Sequence, residues 1–261
     1  MNDISANHID VYPVRAFQDN YVWTLRQGSN AAVVDPGDAT PVLAYLKAQK
    51  LKLTAILNTH HHADHVGGNA ELLEHFPVPV YGPYDERIPT VSHRVREGDR
   101  FTLQEFGVEF EVFEIPGHTK SHIAFYGGGM LYCGDTLFAC GCGRLFEGTP
   151  AQMYDSLAKL AQLPAATRVY CGHEYTMANI KFGKVVEAGN AELAKWEQAA
   201  GAQRAKDEPT LPSTLAQEKL ANPFLRCDQP EVIAAASKHA GKPLKDPVSV
   251  LGAIREWKNN F

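Results

Sequence analysis

Residues 58–68 read Asn-Thr-His-His-His-Ala-Asp-His-Val-Gly-Gly, and no other stretch constrains the chain so tightly. Four imidazoles and one carboxylate fall within the six positions from His60 to His65. Neutral imidazole and carboxylate are the donors that borderline divalent cations prefer. In an extended segment, residues two apart point the same way. His60 and His62 are therefore expected to grip one cation while His61 points off. Asp64 and His65 follow closely enough to reach a second. A solvated turn would tolerate histidines too, but it would not be echoed further along the chain.

The echo lies at strand ends. Short β-rich runs are expected at Tyr21–Arg26, Ala31–Asp35, Leu53–Leu57 and Val78–Tyr81. Further runs are expected at Val108–Ile115, His122–Tyr126, Met130–Cys133 and Arg168–Cys171. Ile56-Leu57-Asn58 leads into the histidine cluster, Ile115-Pro116-Gly117 into His118, Tyr132-Cys133-Gly134 into Asp135, and Tyr170-Cys171-Gly172 into His173. Strands of a common sheet could deliver such residues to one edge. Glycine precedes the last three, where a backbone must turn closely around a site. Taken singly, a histidine after a strand is usually a capping residue and an aspartate a turn former. Their recurrence argues for a shared site.

Helices are expected from Thr40-Pro41 to about Lys50, with Thr40 as N-cap, from Gly67-Gly68 to His75, and from Thr149-Pro150 to Gln162. After His173 the strands stop. Helical patterns broken by Asp-Glu-Pro-Thr-Leu-Pro, Asn-Pro and Lys-Pro fill the rest. This places a domain boundary near 174: a catalytic domain over 1–174 and an α-helical domain over 175–261.

Composition excludes other classes. A formal charge of −5 offers no nucleic-acid footprint, and no apolar run is long enough to span a membrane. Met-Asn-Asp-Ile-Ser-Ala-Asn-His lacks a signal-peptide pattern. Five cysteines, Cys133, Cys140, Cys142, Cys171 and Cys227, make an odd set, expected as reduced thiols packed as small apolar residues in a cytoplasmic protein.

Through His60-His61-His62-Ala63-Asp64-His65, with His118, Asp135 and His173, the chain resembles the metallo-β-lactamase superfamily. Four further motifs support a resemblance to the glyoxalase II (hydroxyacylglutathione hydrolase) family: Pro116-Gly117-His118-Thr119, Gly134-Asp135-Thr136-Leu137-Phe138, Gly141 to Gly148, and Cys171-Gly172-His173-Glu174-Tyr175-Thr176, of which the last two, with the C-terminal extension, narrow it to that family. It runs through essentially the whole chain. It implies a four-layer αββα sandwich followed by an α-helical substrate-binding domain. It implies two divalent metals, zinc first and iron or manganese also accepted. His60, His62 and His118 would bind one, and Asp64, His65 and His173 the other, with Asp135 bridging. It further implies hydrolysis of S-D-lactoylglutathione to glutathione and D-lactate, the second step of methylglyoxal detoxification. A metal-bridging hydroxide would be the nucleophile, with Asp64 and Asp135 as the catalytic carboxylates.

The implied substrate contacts are Arg144, Tyr175, Arg255 and Lys258. Arg255 and Lys258 share a helix face, and without the resemblance they would read as cations that complement a helix C-terminus. Animal members carry tyrosine where this chain has Phe146, so a contact there must come from backbone or be absent. The expected partner is a small glutathione thioester, met by a monomer. A persulfide dioxygenase, a nuclease of the same superfamily and a non-enzymatic metal module are the competing readings. The long helical C-terminal region, the acidic charge and the carboxylate-bearing ligand set argue against them in turn.

Overall fold

The computed structural model describes residues 9–261, and the N-terminal stretch expected to lack a signal-peptide pattern lies outside them. Two compact units divide the chain. The first comprises the described residues up to Glu114 together with Ser121–Gly134, and the second comprises Ile115–Lys120 with Asp135–Phe261.

In the first unit, β1 (Asp10–Ala16), β2 (Asn20–Gln27) and β3 (Asn30–Val34) form an antiparallel meander. Helix α1 (Ala39–Gln49) carries the chain to β4 (Lys52–Leu57), parallel to β3. Two short helices follow, α2 (Ala63–Val66) and α3 (Asn69–His75). Then β5 (Val80–Gly82) and β6 (His93–Arg94) extend the sheet in parallel. The apolar Ala-Ile-Leu end of β4 is wholly buried, as a parallel strand covered on both faces should be. Val22, Val33, Ile56 and Leu53 pack with Val42 and Leu46 of α1 and Leu72 of α3. Cutting Leu46 to alanine would cost roughly 2–5 kcal/mol. The unit closes with an antiparallel meander of β7 (Arg100–Leu103), β8 (Val108–Glu114), β9 (Ile123–Gly127) and β10 (Met130–Gly134). In β8 the sequence alternates, and Val108, Phe110 and Val112 turn inward while Glu109 is exposed.

The second unit holds the small hairpin of β11 (Leu137–Phe138) and β12 (Gly141–Cys142), then α4 (Pro150–Ala161). Helix α4 starts on a capping box between Thr149 and Gln152, with Pro150 in its first turn. Strand β13 (Arg168–Cys171), α5 (Thr176–Val186) and α6 (Ala191–Arg204) follow. Next come β14 (Ser213–Thr214), α7 (Leu215–Ala221), α8 (Pro230–Ala240) and α9 (Pro247–Asn259), with α9 packed on α4 and α8.

Most expected strands and helices lie within a residue or two of these positions. Helix α1 is capped by Asp38 rather than Thr40: its carboxylate accepts the Thr40 N–H at 2.9 Å. Aspartate is the stronger cap, and starting there buries Ala39. Strands do not stop at His173, because β14 pairs antiparallel with β13. Two residues are too few to show a period. For the same reason β6, β11 and β12 leave no pattern in the sequence.

Candidate metal centre

The first unit gathers its donors where β4 ends. Strand β4 runs out at Leu57, and His62 becomes the N-cap residue of α2, whose first turn presents Asp64 and His65. His60 Nε2 and His62 Nδ1 converge to 3.1 Å, as the two-residue spacing requires. His61 turns elsewhere: its Nδ1 lies 3.5 Å from Asp85 Oδ2. Burial would raise the Asp85 carboxyl, but hydrogen bonds from Arg87 and Ser121 outweigh it and hold the group below the usual carboxylate range.

Asp35 organises this cluster. It is buried, follows β3 directly, and takes a left-handed φ of 52°. Its Oδ1 accepts the Thr59 N–H and its Oδ2 the Thr59 hydroxyl, both at 2.7 Å. Thr59 Oγ1 stands 3.0 Å from His60 Nδ1, and Asp35 Oδ2 stands 3.1 Å from His65 Nδ1. The simplest proton assignment puts the hydrogen of both rings on Nδ1. Both then present a bare Nε2, the form in which histidine binds metal, fixed by an outer hydrogen bond. Asp35, His60 and His65 also place possible ligand atoms within 4.8 Å of one another. Asn20 Nδ2 donates to Asp64 Oδ2 at 3.0 Å, fixing that carboxylate beside His65 Nε2, 3.4 Å away. His122 stacks on His60 with centroids 4.5 Å apart. A side chain at Gly134 would strike Thr59 Oγ1 at 2.3 Å, and φ there is +46°.

In the second unit the donors come from separate segments. Asp135 Oδ2 stands 3.5 Å from His118 Nε2 and 3.4 Å from His173 Nε2. All three residues are buried. His118 Nδ1 is held by the Arg144 carbonyl at 2.9 Å, again leaving Nε2 as the lone-pair nitrogen. Gly143 permits this turn: a Cβ there would sit 1.9 Å from the Asp135 carbonyl oxygen. The Tyr175 ring lies flat on His173, centroids 4.8 Å apart at 5°.

The expected substrate residues also belong to this unit. The Arg144 side chain is exposed. Arg255 is 4% exposed, donates to the Cys142 carbonyl at 2.5 Å and lies over the Phe224 ring. That burial is more than a helix-end cation would need. Lys258 does stand in the last turn of α9, yet its amine donates to Asn179 Oδ1. Burial, then repulsion from Arg255, lowers the Lys258 ammonium to about 8. Phe146 is 63% exposed, and its backbone N–H donates to the His118 carbonyl at 3.3 Å. That N–H is therefore engaged within the protein. All five cysteines are free and buried, and burial raises Cys140, Cys142, Cys171 and Cys227. They are packed thiols rather than reactive ones.

Asp35, Asn20 and His122 carry no pattern in the sequence that marks them. Only the position of Asp35 at a strand end, like that of the metal-type residues, hints at a role.

The donor chemistry suits divalent cations: histidines locked as Nε2 donors beside carboxylates whose orientation is fixed. Residues 17–173 match the metallo-beta-lactamase superfamily, and residues 174–261 match the hydroxyacylglutathione hydrolase C-terminus. The chain is 56% identical to a hydroxyacylglutathione hydrolase of Nitrosomonas eutropha, over 97% of this chain and 99% of that one. Among solved structures it resembles ETHE1 from Myxococcus xanthus in fold, with a TM-score of 0.64 and 24% identity over 96% and 98% of the two chains. It also resembles TTHA1623 in a di-iron-bound form, with a TM-score of 0.54 and 34% identity over 62% of this chain and 92% of that one. The metallo-β-lactamase fold with mixed α/β sheets and a C-terminal helical region, expected from the sequence, is the fold of this chain.

Proposed function

This chain belongs to the hydroxyacylglutathione hydrolases of the metallo-β-lactamase superfamily, and from that premise we propose that it hydrolyses S-(2-hydroxyacyl)glutathione, with S-D-lactoylglutathione as substrate. We assign His60, His62 and His118 to one cation, Asp64, His65 and His173 to a second, and Asp135 to both. Zinc is the proposed pair, and the di-iron form of TTHA1623 keeps iron within the same chemistry. When bound, the cations supply a nucleophilic water at neutral pH and polarise the thioester carbonyl.

The remaining work falls to the chain's own groups. Asp35 holds the proton on Nδ1 of His65 and, through Thr59, on Nδ1 of His60. The Arg144 carbonyl does the same for His118. Asn20 fixes the Asp64 carboxylate, which would orient that water. Arg144, Tyr175, Arg255 and Lys258 receive the glutathione moiety, whose two carboxylates call for local positive charge. The leaving thiol has an ordinary pKa of about 8.5, so no general acid is required. The proposed division at residue 174 separates the metal-binding part, which also supplies Arg144, from the helical part that supplies Tyr175, Arg255 and Lys258. No helix among the described residues is long and apolar enough to cross a membrane. We place the protein in the cytoplasm on the strength of its free thiols, and propose that it acts as a monomer.

The observation that carries this reading is the oxygen partner at Nδ1 of His60, His65 and His118, which leaves each Nε2 for a cation. Hydrolysis of S-D-lactoylglutathione, measured beside elemental analysis, tests it. About two metal ions per chain and loss of turnover on chelation are expected. Turnover that survives complete metal removal would overturn it.

A further inference from the structure

The hairpin of β11 and β12 has two residues per strand, turns through Cys140 at a left-handed φ of 56°, and is wholly buried. So small a hairpin does not hold itself together, and its buried backbone groups need partners. The partners are side chains far away in sequence. The Cys140 N–H donates to Glu218 Oε2 at 3.0 Å. The Ala139 carbonyl accepts from Asn179 Nδ2 at 2.8 Å. Asn222 Nδ2 serves the Phe138 and Gly141 carbonyls at 3.3 and 3.0 Å, and the Cys142 carbonyl takes the Arg255 guanidinium.

Glu218 is the hub. It is completely buried. Its Oε1 accepts from the Ser213 hydroxyl, and its Oε2 also accepts from Asn222 Nδ2 at 2.9 Å, aiming the amide that holds two hairpin carbonyls. Asn222 Oδ1 is fixed in turn by the Phe224 N–H. The Cys140 N–H, the Ser213 hydroxyl and the Asn222 amide all donate to Glu218, which accepts from each. Burial pushes its carboxyl up to about 7, against the hydrogen bonds from Ser213, Asn222 and Cys140 that favour the charged form.

What the hairpin carries gives this brace a functional meaning. Asp135 enters it and Arg144 leaves it, two residues beyond each end. We propose that Glu218 is a positioning residue: through the Cys140 N–H and Asn222 it fixes the hairpin and so sets the placement of Asp135 and Arg144. The helical region then shapes the metal and substrate groups from behind as well as receiving glutathione. This rests on the roles assigned above to Asp135 and Arg144.

The test pairs Glu218→Leu with Glu218→Gln. Glutamine can turn its amide nitrogen to the Ser213 hydroxyl, which also accepts, and keep its oxygen on Cys140 and Asn222. In Glu218→Leu, amide hydrogen exchange in residues 136–146 should be at least about tenfold faster, and KM for S-D-lactoylglutathione should rise roughly ten- to a hundredfold. Glu218→Gln should restore both. If Glu218→Leu does not fold, Asn222→Ala, which leaves the carboxylate in place, should give the same two changes. Wild-type exchange in the hairpin, or faster exchange with unchanged KM, overturns the proposal. So does a Glu218→Gln protein as impaired as Glu218→Leu. A wild type that does not cleave the thioester overturns the proposed function instead, and hydrogen exchange still judges the brace.

Discussion

The two units hold their metal-type residues by different means. In the first, His60, His62, Asp64 and His65 sit within six positions, and a single carboxylate, Asp35, fixes two of the rings. In the second, His118, Asp135 and His173 come from three separate segments. The loop after Asp135 is held by Glu218, Asn222, Asn179 and Arg255 from α5, α7, α9 and the turn after α7. A cluster contiguous in sequence needs only local orientation. A cluster assembled from distant segments needs its backbone immobilised, because no covalent proximity limits its drift.

The largest expected effect separates ligands from everything else. Asp135→Ala should remove the carboxylate shared by His118 and His173, disturb both metal positions and lower kcat/KM by more than the roughly hundredfold that outer partners cost. Full two-metal occupancy with normal turnover would remove Asp135 from the centre. His62→Ala should fall in the same range, read by elemental analysis and kinetics together.

Next comes the outer carboxylate of the first unit. Asp35→Asn should weaken metal retention by roughly 10- to 100-fold in competition with a chelator, because His60 and His65 lose the group that sets their tautomers. An unchanged affinity would show that the local cluster needs no organiser and would break the contrast between the units.

Lys258 gives a smaller, pH-dependent effect. Its ammonium, lowered to about 8 by burial, loses its charge there rather than near 10.5. KM for the glutathione thioester should therefore rise as pH passes through about 8, with kcat little changed. Lys258→Met should flatten that profile and raise KM roughly tenfold at pH 7. Stability runs the other way. Between about 8 and 10.5 the unfolded chain holds a proton that the folded one has released, so stability from this group rises with pH across that window. A wild-type KM in Lys258→Met would take the residue out of the substrate site.

The smallest expected effect is at His61. Its ring leans toward Asp85, not toward the His60–His62 pair. His61→Ala should keep metal content and stay within about fivefold of wild-type kcat/KM, the scale of one weak ion pair. Metal loss as complete as in His62→Ala would show that the alternation at residues 60–62 has been misread.

The alternation at 60–62 and the ligand-type residues after β4, β10 and β13 could be read from residue order, because period and strand ends are local properties of a chain. The apolar runs of β4 and β10 and the Thr149-Pro150 start of α4 were legible for the same reason. Asp35, Asn20 and the Glu218–Asn222 brace were not. Each acts on a partner 24 to 84 residues away, and only folding brings the two together. Arg255 shows the same limit. Its charge and helix position were plain in the sequence, but the Cys142 carbonyl it holds lies 113 residues off. Sequence determined which atoms could bind a cation, since donor chemistry belongs to the residue. Tertiary structure decided which ring nitrogen carries the proton and which loop stays still, since a hydrogen bond depends on where its partner is placed.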